Sequence, residues 1–109
     1  MYVRTKKDII YKAINVYHDY RNKTLYEVET GLERLILDEE EVSKEADTIE
    51  KLCDLFILIQ YDGSHSFVNN TVPIDELLLG KRTLYGAIWT EKGLIYVAKM
   101  NDKGELELL

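Results

Sequence analysis

Two turn signals divide the last quarter of the chain, Leu84–Leu109, into alternating apolar segments. The first turn ends at Gly93 and the second at Gly104, and glycine accepts the positive φ that tight hairpin turns require. Apolar runs flank the first turn on both sides, and a short segment of alternating apolar and polar residues follows the second. This pattern predicts a three-stranded antiparallel meander over Leu84–Leu109.

Further strands are predicted upstream, where apolar runs of strand length are separated by polar residues. The segment Ile9–Tyr20 is ambiguous, because its apolar positions also fit one face of a helix, but its content of Ile, Val and Tyr favours a strand. Asp38–Lys44 reads as a charged connector, and Val68–Val72 has no regular pattern. The clearer strand segments are Tyr2–Thr5, Leu25–Glu29, Leu32–Leu37 and Leu55–Tyr61.

Two short segments have the features of helices. Asp47–Asp54 begins with cap-type residues and spaces three apolar residues at i, i+3 and i+4. Pro73–Leu79 has proline near its first turn, acidic residues early and a glycine just beyond its end. We therefore expect a single α+β domain over residues 1–109. It would be mostly an antiparallel sheet, arranged as a small barrel or a curled sheet, with two short helices.

The composition is that of a folded domain. The chain has 109 residues, of which 46% are hydrophobic and 31% charged, and eight of them are tyrosines. Apolar runs are too short for a membrane span, and the N-terminal residues lack the apolar stretch of a signal peptide. The single cysteine, Cys53, excludes an intramolecular disulfide. These features predict a cytoplasmic protein that does not associate with a membrane.

Charge is distributed unevenly along the sequence, although the whole chain carries a net charge of −6. Residues 1–23 have a net charge of +4, residues 27–54 of −8 and residues 55–109 of −2. The lack of clustered bases argues against direct nucleic-acid binding. The acidic segment is either a solvated loop or a surface for a protein partner with a basic surface. Its densest part is Asp38, Glu39, Glu40 and Glu41.

Aromatic residues form a second candidate surface in the predicted meander. Strand alternation places Tyr85, Ala87 and Trp89 on one side of the sheet, and Tyr96 on the next strand is able to share that side. The set is either packed in the core or exposed as a patch for a partner, because Tyr and Trp dominate interface hot spots. Tyr85 and Trp89 are therefore candidate partner-binding residues.

No group of residues indicates catalysis, a cofactor or a metal. Cys53 has acidic neighbours and lies on an apolar face, which predicts a buried structural thiol rather than a nucleophile. His18 and His65 have no ligands at a recognised zinc spacing. Phosphate-binding glycine loops and hydrolase motifs are absent from the sequence. We assign no catalytic, cofactor-binding or metal-binding residue.

Three segments together resemble a family of small uncharacterised phage and prophage proteins of Gram-positive bacteria. They are Val3–Lys6 with Ile10-Tyr11, Glu45–Asp54 and Tyr85–Lys99. The resemblance covers about half of the chain and carries no assigned activity. It implies a protein made inside an infected or lysogenic bacterial host cell.

The leading hypothesis from sequence is a non-enzymatic phage accessory protein that binds another protein. One concrete version inhibits a nucleic-acid-handling host or defence protein through the acidic surface at Asp38–Glu41, because such targets present basic grooves, and the face of Tyr85 and Trp89 is the second candidate surface. The first alternative is an enzyme whose site is assembled from scattered residues, marked by a deep pocket that joins His18 or His65 to carboxylates. The second is a structural or homo-oligomer-forming protein, marked by a large apolar patch outside the core.

Overall fold

The chain forms ten β-strands and three single-turn 3-10 helices in the computed structural model, which describes residues 1–77 and 79–109. It divides into two compact units, Met1–Thr48 and Ile49–Leu109. Each unit contains one five-stranded sheet in which all described pairings are antiparallel. No helix in the described ranges is long and apolar enough to cross a membrane. The single domain over residues 1–109 stays a prediction.

The first unit has the strand order β4-β3-β2-β1-β5. Ala13 lies opposite Val28, and Val28 lies opposite Leu35, so these residues line one face. Val3 and Tyr26 join them in a buried cluster. The strands are β1 (Tyr2–Thr5), β2 (Ile10–His18), β3 (Thr24–Glu29), β4 (Arg34–Asp38) and β5 (Val42–Ala46).

The ambiguous segment Ile9–Tyr20 is a strand, as its β-branched and aromatic content predicted. It pairs with β1 on one side and with β3 on the other. The turn after it contains Asn22 at a φ of 62°, a conformation that Asn tolerates better than most residues. The Asp19 carboxylate accepts hydrogen bonds from the backbone N–H groups of Arg21 and Lys23 at 2.8 and 2.9 Å, which fixes this turn.

The second unit has the strand order β10-β9-β8-β6-β7. Its β8, β9 and β10 pair in succession, which confirms the predicted meander. Gly93 and Gly104 have φ values of 107° and 80°, as their turns require. One face of the sheet is buried and contains Phe56, Leu84 and Ile88. The strands are β6 (Leu55–Ile59), β7 (His65–Asn69), β8 (Thr83–Thr90), β9 (Gly93–Met100) and β10 (Leu106–Leu108).

The predicted α+β class is wrong, because the described residues form strands and isolated 3-10 turns only. Within the predicted helix Asp47–Asp54, only Glu50–Leu52 is helical, and it makes a single 3-10 turn. Cys53 is already extended, with φ −77° and ψ 147°, and β6 begins two residues later. So short a segment does not offset the cost of helix nucleation. Cys53 is nevertheless buried, as predicted.

The second predicted helix, Pro73–Leu79, is wrong for the same reason. Ile74–Glu76 makes one 3-10 turn, and Leu77 is extended, with φ −81° and ψ 129°. Leu78 lies outside the described residues. Pro73 precedes the turn, but the turn is not capped by a side-chain hydrogen bond, and the chain becomes extended at Leu77, before Gly80.

Two strands were missed by the sequence analysis. The charged connector Asp38–Lys44 contains a 3-10 turn at Glu39–Glu41 and the start of β5. The segment Val68–Val72, for which no regular pattern was found, contains the end of β7, which spans His65–Asn69. Both are edge strands of their sheets. An edge strand has a neighbour on one side only, so its composition is more polar and its hydrophobic pattern is weaker.

Candidate functional site

The acidic run lies in the first unit, where Glu39–Glu41 form a 3-10 turn between β4 and β5. The three glutamates are exposed, whereas Asp38 is half-buried. The Asp38 carboxylate accepts a hydrogen bond from the backbone N–H of Glu40 at 3.2 Å and so caps the turn. This capping role explains the presence of an acid at position 38 without a protein partner.

Basic side chains of the same unit stand close to its acids. The Lys23 Nζ donates to the Glu40 Oε1 at 3.0 Å, and this carboxylate raises the pKa of Lys23 above its ordinary value. In the sheet, Lys12 lies opposite Glu29, which in turn lies opposite Arg34. Antiparallel pairing therefore brings the basic N-terminal segment next to the acidic segment that follows it.

Although charge is unevenly distributed along the sequence, the two units have the same net charge. Met1–Thr48 contains eight basic and eleven acidic residues, and Ile49–Leu109 contains six and nine, so each has a net charge of −3. Within the acidic run, Glu39 and Glu41 are the exposed carboxylates for which the structure gives no capping or ion-pairing role.

A group of four aromatic side chains shares one face of the second sheet, and we call it the aromatic face: Phe67, Tyr85, Trp89 and Tyr96. Phe67 and Tyr85 both lie directly opposite Ile57, one on each side. Residues directly opposite each other in an antiparallel sheet point to the same face, and so do alternate residues of one strand. Trp89 follows Tyr85 by four positions on β8, and Tyr96 lies opposite Ala87.

Two of these rings are largely exposed. Phe67 has 67% and Trp89 59% of its surface accessible, whereas Tyr85 and Tyr96 are half-buried. The two tyrosine rings pack against each other, with centroids 5.2 Å apart and planes inclined by 34°. The ammonium of Lys99 lies 5.9 Å from the centroid of the Tyr85 ring. This geometry allows a cation–π contact.

The backbone beneath the aromatic face is held firmly. The N–H of Trp89 donates to the Asp54 carboxylate at 2.7 Å. Ile57, Ala87 and Ile88 next to it are completely buried. The aromatic side chains are therefore presented by a rigid sheet rather than by a loop, so the exposed rings of Phe67 and Trp89 need little ordering before they contact another molecule.

The structure brings together one of the two predicted sets of site residues. Tyr85 and Trp89 share a face, as the alternation predicted, and Trp89 is not a core residue. Asp38–Glu41 lie in the other unit, so the predicted residues do not form one continuous site within either unit. Sequence reasoning missed Phe67, because its strand was not recognised. The apolar pair Phe67-Val68 after the Asp62-Gly63-Ser64 turn is the signal that indicates a hairpin with Leu55–Tyr61.

Residues suited to catalysis are dispersed. His18 and His65 are both exposed and lie in different units. An open depression of about 550 Å³ is lined by Gln60–Asp62 and Leu79–Arg82, and it contains no histidine. Among the described residues, no group of three His, Cys, Asp or Glu side chains is placed to hold a metal ion.

Cys53 is 1% exposed, and it packs against β8 at Gly86. A Cβ at Gly86 would lie 2.6 Å from the Cys53 Sγ. This thiol fills space in the second unit.

Comparison of the chain with protein-family models, with curated proteins and with solved structures found no match. The two surfaces themselves therefore indicate what the protein binds.

Proposed function

We propose that the chain is a non-enzymatic binding protein and that its aromatic face receives a protein partner. The observation that carries the proposal is the exposure of Phe67 and Trp89 on one face of a rigid sheet. Trp is highly buried on average in folded proteins, and exposed aromatic groups are enriched in the energetic centres of protein interfaces.

The charge of the protein favours a partner with a basic surface. A net charge of −6 attracts such a partner over long range and slows the approach of nucleic acid. The phage setting that the sequence resemblance implies, and a site of action in the cytoplasm of a bacterial host, belong to the same proposal. Inhibition of a nucleic-acid-handling host or defence protein remains its concrete version, because such proteins present basic grooves.

The acidic run is the second candidate binding surface. It is favoured by the exposure of Glu39 and Glu41, which extend from a turn between two strands. The case for this surface is weaker because Glu40 already pairs with Lys23 and Asp38 already caps the turn. The aromatic face has no comparable internal use for the exposed parts of Phe67 and Trp89.

Affinity capture from a lysate of a Gram-positive bacterium distinguishes the two surfaces. The tagged chain is compared with Trp89→Ser, with the triple variant of Glu39, Glu40 and Glu41 to Gln, and with the control Tyr20→Ser. Tyr20 is 94% exposed and lies in the first unit, so it matches Trp89 as a solvent-facing aromatic residue.

We expect Trp89→Ser to reduce recovery of the specific partner by about tenfold or more, as loss of a hot-spot aromatic residue does. Tyr20→Ser and the triple variant should retain the partner. Retention by Trp89→Ser together with loss by the triple variant would transfer the binding function to the acidic run. Retention by all three variants would contradict both surfaces.

A further inference from the structure

The two sheets have four edge strands, and β7 differs from the other three. The strands β4, β5 and β10 each contain at least one Asp, Glu, Lys or Arg, whereas β7, His-Ser-Phe-Val-Asn, contains none. Charged side chains on an edge strand usually prevent it from pairing with another molecule. Within the described residues, β7 is the edge that lacks this protection.

The hydrogen-bonding pattern shows which backbone groups of β7 face outward. The N–H of Gln60 donates to the carbonyl of Ser64 at 2.9 Å, so this pair is hydrogen-bonded across the β6–β7 hairpin. Hydrogen-bonded pairs alternate with non-hydrogen-bonded pairs in an antiparallel ladder. The pair of Ile57 with Phe67 is therefore non-hydrogen-bonded, and the N–H and C=O of Phe67 point away from β6 toward the open edge.

We propose that β7 pairs with β7 of a second copy of the chain, antiparallel and centred on Phe67, to form a two-fold symmetric dimer. In this register Phe67 lies opposite its own symmetry mate and exchanges two backbone hydrogen bonds with it. His65 lies opposite Asn69 at both ends. The two phenyl rings lie on the same face of the joined sheet, where each is already 67% exposed.

Charge disfavours self-pairing of two of the other edges, β5 and β10. A two-fold pairing of β5 about its middle residue would place Lys44 against Lys44, and one of β10 would place Glu107 against Glu107. The same operation on β4 would place Arg34 opposite Asp38 of the other copy, so charge does not disfavour that edge, and the Ile36→Lys variant below tests it separately. Like charges directly opposite each other destabilise a strand pair, and the β7 register contains no such pair.

The oligomeric state of the full chain, measured by sedimentation velocity over a concentration series, tests the proposal. We expect a species of twice the 12.7 kDa chain mass. Phe67→Glu and Phe67→Lys should each weaken dimerisation by about tenfold or more, because each puts like charges opposite each other. An equimolar mixture of the two variants should form the dimer again, because Glu then lies opposite Lys.

Ile36→Lys is the matched control, since Ile36 is a 56% exposed apolar residue in the middle of the edge strand β4. It should leave the dimer intact, as should Trp89→Ser, so that loss of the dimer and loss of partner binding are measured separately. A monomeric wild-type chain at all concentrations would overturn the proposal. Failure of the folded Glu and Lys variants to associate when mixed would overturn it as well, as would a dimer that survives in both single variants.

Discussion

The two units of the chain have sheets of the same size and different surfaces. In the first unit, Lys23 pairs with Glu40, and the outer face carries a hydrogen-bonded group in which Asn15 and Tyr17 donate to Glu27 at 3.0 and 3.2 Å. These donors lower the pKa of the Glu27 carboxyl. In the second unit, by contrast, Trp89 and Phe67 extend from the sheet toward solvent. Both units expose apolar side chains, among them Tyr20 and Ile36 in the first unit. In the second unit, however, two exposed aromatic rings share one face of the sheet, where another molecule is able to cover them together.

The first unit also shows that the net charge of a sequence segment differs from the charge of the surface on which that segment lies. The acidic and basic segments of the first unit are adjacent along the chain, and antiparallel pairing of β2 with β3 places them side by side. A charge run therefore indicates an interaction surface only after its neighbours in the sheet are known. The aromatic residues follow a simpler rule, because alternation along β8 alone determines the side to which Tyr85 and Trp89 point.

The largest effect on stability is expected at Gly86 in the second unit. Gly86→Ala places a Cβ 2.6 Å from the Cys53 Sγ inside a packed core, which should lower the free energy of unfolding by about 1–3 kcal/mol. Gly31→Ala is the control in the first unit, where nothing lies within 4 Å of the added Cβ. Its effect should stay within about 0.5 kcal/mol. Urea denaturation of both variants measures the difference.

Cys53→Ala removes the atom with which the new Cβ collides. Alone it should destabilise the protein by about 1 kcal/mol through lost packing. Combined with Gly86→Ala it should give a smaller loss than the sum of the two single variants, because the collision is relieved. Strict additivity would show that the two residues are not in contact.

A smaller effect is expected at the first turn of the meander. Gly93→Val forces a β-branched residue into a φ of 107°, which should lower the stability by about 1 kcal/mol or more. Gly31→Val, at a glycine with open space, serves as the reference substitution. An unchanged melting temperature for Gly93→Val would contradict the turn assignment.

The meander was predictable because its signals are local: Gly93 and Gly104 mark the turns, and alternation defines the strands. The edge strand β5 was not, because its neighbour β1 is distant in sequence and its own composition is polar. The edge strand β7 was missed although its neighbour β6 is adjacent along the chain, because its own composition is largely polar. The helix prediction for Asp47–Asp54 failed because spacing at i, i+3 and i+4 over so few residues also fits a single 3-10 turn followed by a strand. The aromatic face was found in part, through Tyr85 and Trp89. Phe67 was lost together with β7.

The core of the first unit should respond to alkaline pH through Tyr26. Burial, followed by a hydrogen bond to Glu45, raises the pKa of Tyr26 from its ordinary 10 to about 12. The folded state holds this proton more tightly than the unfolded state, so the stabilisation is complete below pH 10 and is lost as the pH rises toward 12. Tyr26→Phe should flatten this part of the stability profile. An equally steep decline in Tyr26→Phe would refute the assignment.

The smallest effect is expected at the acidic run. Replacing Glu39, Glu40 and Glu41 with Gln removes an exposed ion pair with Lys23, which contributes little to stability in water. The free energy of unfolding should change by less than about 1 kcal/mol. Any difference from the wild type should shrink as salt is added, because salt screens exposed charges. A loss well above this value would mean that the acidic run has a structural role beyond the Asp38 cap.

The most direct measurement is oxidative footprinting of the side chains of the chain, alone and with its captured partner. Trp89 is the single tryptophan, so its modification is read without overlap. The account predicts that the partner protects Trp89 from oxidation and leaves the exposed Tyr20 of the first unit unchanged. Unaltered oxidation of Trp89 in a complex that the Glu39–Glu41 variant fails to form would contradict it.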